Sequence, residues 1–246
     1  RVIQENVGGA FGGKFTMYPI HFVTSLLAMK AGRPVKIVRT RTEDFAISRY
    51  RSSNRANFKI GATKDGTITA IETRVIVDNG AYQYLARRMA THMCCRSDAN
   101  YRFKNIWYNC KNVYTNKTPV GTYRSFGDAQ MTFPRESMID MLAEKLGMDT
   151  AELKLQNCAR TGDVSPHGWH LNSVGLAECI EKTTDAINWK EKKANRRLNR
   201  GVGIASTCHE TDDRNNDGFY GSVSLVKILE DGRIQVITGE AEYGQN

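Results

Sequence analysis

A chain of 246 residues that is 40% hydrophobic can bury one large core or two modest ones, and no run of eighteen apolar residues offers a membrane-spanning helix. The formal net charge of +9 invites an anionic partner, yet the two basic clusters, 39–55 and 190–200, come without the signature of any DNA- or RNA-binding module. Six cysteines with no C-x-x-C spacing exclude an iron–sulfur or zinc centre built by this chain alone and fit a reducing, cytoplasmic compartment.

In chain order, the first feature is the glycine run "GGAFGGK", with Gly8, Gly9, Gly12 and Gly13 ahead of Lys14. The spacing G-x-x-x-x-G-K suggests a phosphate-binding P-loop, but such a loop needs a Ser or Thr hydroxyl for magnesium directly after the lysine. Phe15 stands there, and no apolar strand ending in Asp supplies a second ligand. Glycine is costly to order, so a run of this density marks a place where main chain must come very close to something.

Residues 17–31 have apolar side chains at helical spacing with an early Pro19 and a closing Gly32, and Pro34 restarts the chain as a strand over 35–40. Residues 55–78 alternate on both sides of Asp65-Gly66 and read as a hairpin. A strand-like run then precedes "TNKTPVGTYRSFGDAQ" (115–130), in which Arg124 and Phe126 flank Ser125 in a turn and Gln130 opens an amphipathic helix stopped by Gly147. A second helix starts from Asp149 with Glu152 as its capping-box partner, and a third spans 173–189. His167 and His170 read as loop imidazoles rather than a metal site. A second hairpin surrounds Asp231-Gly232, and the chain reaches a glycine turn at Gly244 and Gln245.

The expected fold class is α+β: two mixed α/β domains, the second truncated, with 1–160 as the first, 161–200 as a helical and basic connection and 201–246 as the start of the second. A start on Arg and a stop beside an alternating apolar run read as a fragment or one processed subunit.

Three glycine-assisted turns in fixed order, "GGAFGGK", "YRSFGDAQ" and "YGQN", resemble those of the molybdopterin-binding subunit of the xanthine dehydrogenase and aldehyde oxidase family, which includes 4-hydroxybenzoyl-CoA reductase-like enzymes. Their linking text, "MIDMLAEKLGMDTAELKLQNCARTGD", is similar as well. The resemblance implies cofactor contacts at Gly9, Phe11, Gly12, Gly13, Arg124, Gly244 and Gln245. Of these, Phe11 and Arg124 would lie against the molybdenum centre without being side-chain ligands. It also implies that Phe126, joined by Phe15, stacks on a planar substrate. The cofactor would be molybdopterin, with the cytosine dinucleotide as one form, and 2Fe–2S clusters and FAD would sit on partner domains or subunits. The implied reaction is hydroxylation with oxygen from water, or its reductive reverse, with the base glutamate outside this chain and no catalytic residue within it.

Three departures bear on substrate. Purine oxidisers of the family place Glu where Phe15 stands, Ser125 and Asp128-Ala129 replace the usual Gly and Gly-Pro, and a second substrate arginine between Arg87 and His92 has no clear match. These favour an aromatic or N-heteroaromatic substrate, an aromatic aldehyde or an aromatic acyl thioester. A P-loop nucleotide-binding protein and a basic nucleic-acid-binding module are the alternatives from other classes.

Overall fold

The structure, a computed structural model, describes residues 7–15, 17–96, 98, 100–195, 198–209 and 223–239. Its elements are α1 (Pro19–Ala31), α2 (Arg41–Ile47), β1 (Asn54–Ala62), β2 (Ile68–Asp78), α3 (Ala86–Arg96), β3 (Asn105–Val113), α4 (Asp128–Leu146), α5 (Thr150–Asn157), α6 (Leu176–Ala186), α7 (Trp189–Ala194), β4 (Ser224–Ile228) and β5 (Ile234–Thr238). The class is mixed α and β, as expected. Among the described residues no helix is long and apolar enough to cross a membrane.

Both expected hairpins form. β1 and β2 pair antiparallel from Asn54↔Val77 to Ala62↔Ile68, and Gly66 turns the chain at φ 89°. β4 and β5 pair antiparallel from Ser224↔Thr238 to Ile228↔Ile234. The strand-like run before residue 115 is β3, and it pairs parallel to β2, giving the order β1-β2-β3. A parallel partner needs a crossover, and α3 is that crossover. Its inward residues Ala86, Met89, Ala90 and Met93 are buried at spacings of three and four, a periodicity the sequence carries but that the flanking arginines obscure.

One expectation fails. Residues 35–40 form no strand and lead directly into α2. The alternation of Val35, Ile37 and Arg39 is real, but a strand exists only with a pairing partner, and none of the described strands runs beside it. Thr40 instead caps α2, accepting from the Glu43 amide while the Glu43 carboxylate accepts from the Thr40 N–H. The helix over 17–31 forms but buries none of its side chains among the described residues. The long amphipathic helix starts at Asp128, two residues before Gln130, and ends at Gly147 in the left-handed conformation. Asp149 caps α5 through the amides of Ala151 and Glu152.

The core has two adjoining clusters. Ile68, Ile71, Tyr101, Phe103, Ile139, Ala143 and Leu153 pack the sheet against α4 and α5. Val75, Val77, Ala86, Met89, Met93, Val120 and Met131 pack its other end against α3 and the start of α4, with Phe126 at the rim. Asn157 ties these layers to the first hairpin. Its Oδ1 accepts from the Ile68 N–H at 2.8 Å, and its Nδ2 donates to the carbonyls of Gly66 at 2.8 Å and Leu153 at 2.9 Å. Asn157→Ala removes the side-chain partner of three buried main-chain groups, and we expect a loss of about 2–4 kcal/mol, read as a lower midpoint in denaturant; an unchanged midpoint would contradict this role.

Candidate functional site

The first two glycine-assisted turns, distant in sequence, are one structure in space. The Arg124 N–H donates to the Phe11 carbonyl at 2.9 Å. Beside that bond, a Cβ placed on Gly12 would lie 2.6 Å from Thr122 Cγ2 and 2.7 Å from the Thr122 carbonyl oxygen. Gly12 also sits at φ 94°, so both the space and the dihedral require glycine there. Gly8 and Gly9 share the positive-φ half of the map. Internal bonds from Gly13 to Ala10 and from Phe15 to Gly12 close the turn, and Tyr18 braces it from behind, donating its hydroxyl to the Gly13 carbonyl at 2.8 Å.

Among the described residues the turn uses its Gly13 and Phe15 N–H groups internally, while those of Gly8, Gly9, Ala10, Phe11, Gly12 and Lys14 donate to nothing. Lys14 is used differently: its ammonium donates to the Val7 carbonyl, folding back on its own turn, and α1 starts only at Pro19. A P-loop lysine reaches outward at a helix N-terminus, so the nucleotide alternative lacks its geometry here.

The second turn is strained. Ser125 at φ 77° and Phe126 at φ 33° are both left-handed, as is Phe11 at φ 49°, and each such residue costs about 1–2 kcal/mol. Local bonds from Phe126 to Tyr123 and from Asp128 to Ser125 hold the turn. The Arg124 side chain is exposed and makes no ion pair among the described residues. Phe126 is half-buried, its ring edge-on to His92 at 5.0 Å and 66°. Phe11 is 37% and Phe15 63% exposed. Gly244 and Gln245, the third turn, lie outside the described residues.

Sequence reasoning missed what carries the second turn to the first. The segment 113–121 is bonded back onto the end of β2: Asn79 N–H to Val113, Thr115 N–H to Gly80, Ala81 N–H to Lys117 and Val120 N–H to Asn79. Tyr50 and Val120 then form a parallel bridge. Asp78 fastens this run. It accepts from Lys117 Nζ at 2.6 Å, Thr115 Oγ1 at 2.6 Å and the Gly80 N–H at 3.0 Å, and the Lys117 hydrogen bond, followed by that of Thr115, lowers its pKa from 3.8 to about 2.

Three arginines of the first basic cluster, Arg39, Arg49 and Arg51, are also spent internally. Arg49 lies over the Tyr84 ring at 3.3 Å, Arg39 pairs with Asp44 at 3.4 Å, and Arg51 contacts the second turn itself. His170 is exposed as expected, but His167 is half-buried 3.4 Å from Asp98, because its loop folds back against that carboxylate. No group of three potential metal ligands occurs among the described residues, and Lys190, Lys192 and Arg200 are exposed, a solvated face.

The molybdopterin cofactor-binding domain family matches residues 1–158. The chain is 32% identical to the xanthine dehydrogenase molybdenum-binding subunit of Escherichia coli O157:H7 across its whole length, covering 33% of that protein. It is 34% identical to the nicotinate dehydrogenase large molybdopterin subunit of Eubacterium barkeri over 75% of its length, covering 44% of that protein. The solved aldehyde oxidoreductase of Desulfovibrio gigas superposes on 94% of this chain with a TM-score of 0.79 at 29% identity, and the match spans 25% of that chain. The chain thus spans between a quarter and under a half of the length of these proteins.

Because the folded-state pKa of Asp78 is depressed, its contribution to stability is fully present above about pH 4 and is lost as the pH falls through about 2. Lys117 is largely exposed, so we expect Asp78→Asn to cost only on the order of 1 kcal/mol near neutrality. The difference from the parent should vanish toward pH 2 in denaturant titrations; a penalty independent of pH would contradict the ion-pair account.

Proposed function

The chain belongs to the molybdopterin cofactor-binding domain family, and from that premise we propose that it is the cofactor-holding part of a molybdenum-dependent oxidoreductase of the xanthine dehydrogenase and aldehyde oxidase type. The observation that carries the reading is the main-chain bond from Arg124 to Phe11, which makes one surface of the two motifs that resemble the family's cofactor turns. That surface fits an anionic group with oxo and phosphate oxygens. Among the described residues it offers amides without a partner, those of Gly9, Phe11 and Gly12 among them, a glycine surface with little side chain in the way, and an Arg124 guanidinium fork in no ion pair.

When bound, the molybdenum cofactor supplies the two-electron redox chemistry, and this chain's residues hold and orient it. Gly9, Phe11, Gly12 and Gly13 approach through main chain, Arg124 through charge-assisted hydrogen bonds. By their resemblance to the family's third turn, Gly244 and Gln245 are proposed as further cofactor contacts. Phe126 is the wall on which a planar substrate stacks, held against His92. We take residues 1–160 as the first molybdopterin-binding domain, a limit supported by the family match over 1–158, followed by the connection at 161–200 and the start of the second domain at 201–246. The proposed electron acceptors would be 2Fe–2S clusters and FAD on partner domains or subunits, in a cytoplasmic hetero-oligomer.

Charge-assisted hydrogen bonds contribute about 1.5–3 kcal/mol each, so Arg124→Ala should lower molybdenum retention roughly ten- to a hundredfold, measured as metal per mole of the intact purified complex. Gly12→Val should be at least as damaging, since it drives a side chain into Thr122, whereas Lys14→Ala should be mild. Full molybdenum content and turnover in Arg124→Ala would sink the assignment.

The substrate we propose is aromatic or N-heteroaromatic, including aromatic aldehydes and aromatic acyl thioesters. A purine presents polar ring atoms, and leaving each unpaired against Phe15 costs about 1–3 kcal/mol. Phe15 and Phe126 instead favour a ring that gains by area burial and offset stacking. Nicotinate, named for one of the similar proteins, belongs to this class. In competition on the intact complex, benzaldehyde, nicotinate or benzoyl-CoA should outrun xanthine; efficient xanthine turnover that survives Phe15→Ala would defeat the reading.

A further inference from the structure

The 124–127 turn is strained, and its local main-chain bonds do not act alone. Two consecutive non-glycine residues, Ser125 and Phe126, are left-handed, and the Arg124 side chain, on which cofactor binding is proposed to rest, has no partner of its own among the described residues. Further support comes from outside. Arg51, in the loop between α2 and β1, reaches over the turn with its whole guanidinium. One terminal nitrogen donates to Ser125 Oγ at 3.1 Å and to Gln130 Oε1 at 3.0 Å. The other donates to the Arg124 carbonyl at 2.6 Å. The guanidinium also lies 4.8 Å from the Tyr123 ring centroid. Gln130 passes the restraint on, donating to Ser52 Oγ at 3.2 Å, and Ser52 Oγ contacts Met89 Sδ at 3.4 Å in the cluster on whose rim Phe126 sits.

We propose that Arg51 is the positioning residue of the site: it fixes the Arg124–Phe126 turn so that the Arg124 guanidinium and the Phe126 ring are presented beside the glycine turn. This rests on the reading of Arg124 as a cofactor contact. The geometry suits arginine and not lysine. Three acceptors, two on the turn and one at the start of α4, are met by one rigid planar fork, whereas an ammonium on a flexible stem is a single point of attachment. The charge itself is secondary, since the acceptors are a hydroxyl, an amide and a carbonyl rather than a carboxylate. Arg51 thereby leaves the class of solvated basic residues in which its sequence neighbourhood places it.

The test compares Arg51→Ala, Arg51→Lys and Arg124→Ala in the intact complex. The readouts are molybdenum per mole, and kcat and KM normalised to bound molybdenum, with benzaldehyde or nicotinate, whichever the parent oxidises. We expect Arg51→Ala to lose molybdenum about tenfold, approaching Arg124→Ala. Arg51→Lys should retain the metal to an intermediate level yet show a KM raised at least fivefold with kcat within a factor of two, because a loosened turn misplaces a binding wall and not a reacting group. A merely structural arginine would leave the metal-normalised KM unmoved. Loss of molybdenum in Arg124→Ala with parental content and KM in both Arg51 variants would overturn the proposal while leaving the cofactor reading intact. Parental content in all three would instead overturn the cofactor reading. Where Arg51→Ala fails to assemble, Arg51→Lys decides through its KM.

Discussion

One main-chain hydrogen bond, from the Arg124 N–H to the Phe11 carbonyl, joins two turns that would otherwise be separate loops. Beside that bond the two backbones pass so close that no side chain fits, and Gly12 against Thr122 is the point at which this is decided. The arrangement is not self-sustaining. Phe11, Ser125 and Phe126 all sit in the left-handed region, and strain of about 1–2 kcal/mol per residue has to be offset by contacts elsewhere. Those contacts are identifiable: Tyr18 on the Gly13 carbonyl, Arg51 on the Arg124–Gln130 stretch, and the Asp78–Lys117–Thr115 cluster behind the run that delivers the second turn. A glycine-rich surface that must approach a ligand closely cannot also carry the side chains that would stiffen it, so the stiffening lies one layer back.

The same reasoning explains what could be read from the sequence. The hairpins were legible because each has a two-residue turn signal, Asp65-Gly66 or Asp231-Gly232, between alternating runs. α4 and α5 were legible because Gly147 and Asp149 mark their ends with local chemistry. Such features depend on residues a few places apart. β3 pairing parallel to β2, the absence of a strand at 35–40 and the crossover through α3 depend on what lies alongside in space, which period and propensity do not encode. Among the candidate site residues, Gly12 and Arg124 announced themselves by motif. Arg51 did not, because an arginine in a basic run looks solvated until the acceptors on a turn some seventy residues away are known.

A second long-range device sits midway along α4, where α5 packs against it. Arg135, Glu136 and Lys154 are all buried, an expensive choice unless every charge is paired and every donor used. Each charge is paired. Arg135 and Lys154 both meet Glu136 at 3.0 Å, and Lys154 meets Asp140 at 2.9 Å; Arg135 donates to the Ser206 carbonyl at 2.8 Å, and Glu136 accepts from the Ser206 N–H at 3.0 Å and the Tyr101 hydroxyl at 2.9 Å. Burial next to Glu136 pushes the Tyr101 phenol far above its usual range, which keeps it a neutral donor. Lys154 further donates to the Ile204 carbonyl at 2.5 Å. The network therefore does not only join α4 to α5; it captures the chain at 204–206 as that chain leaves the helical connection.

That capture has a direction. From Ser206 the strand of chain continues beside α4, with Thr207 meeting Thr132 at 3.0 Å and His209 meeting Asp128 at 2.5 Å. It thus travels from the buried network to the N-terminal end of α4, the end that begins immediately after Arg124 and Phe126. A hydrophobic seam could bind such a segment in several registers, because apolar contacts are non-directional. Three buried charges aimed at two particular carbonyls and one amide accept only one. The cost of burying them is then intelligible as the cost of register: it determines which residues of the following segment reach the helix end from which the site is built.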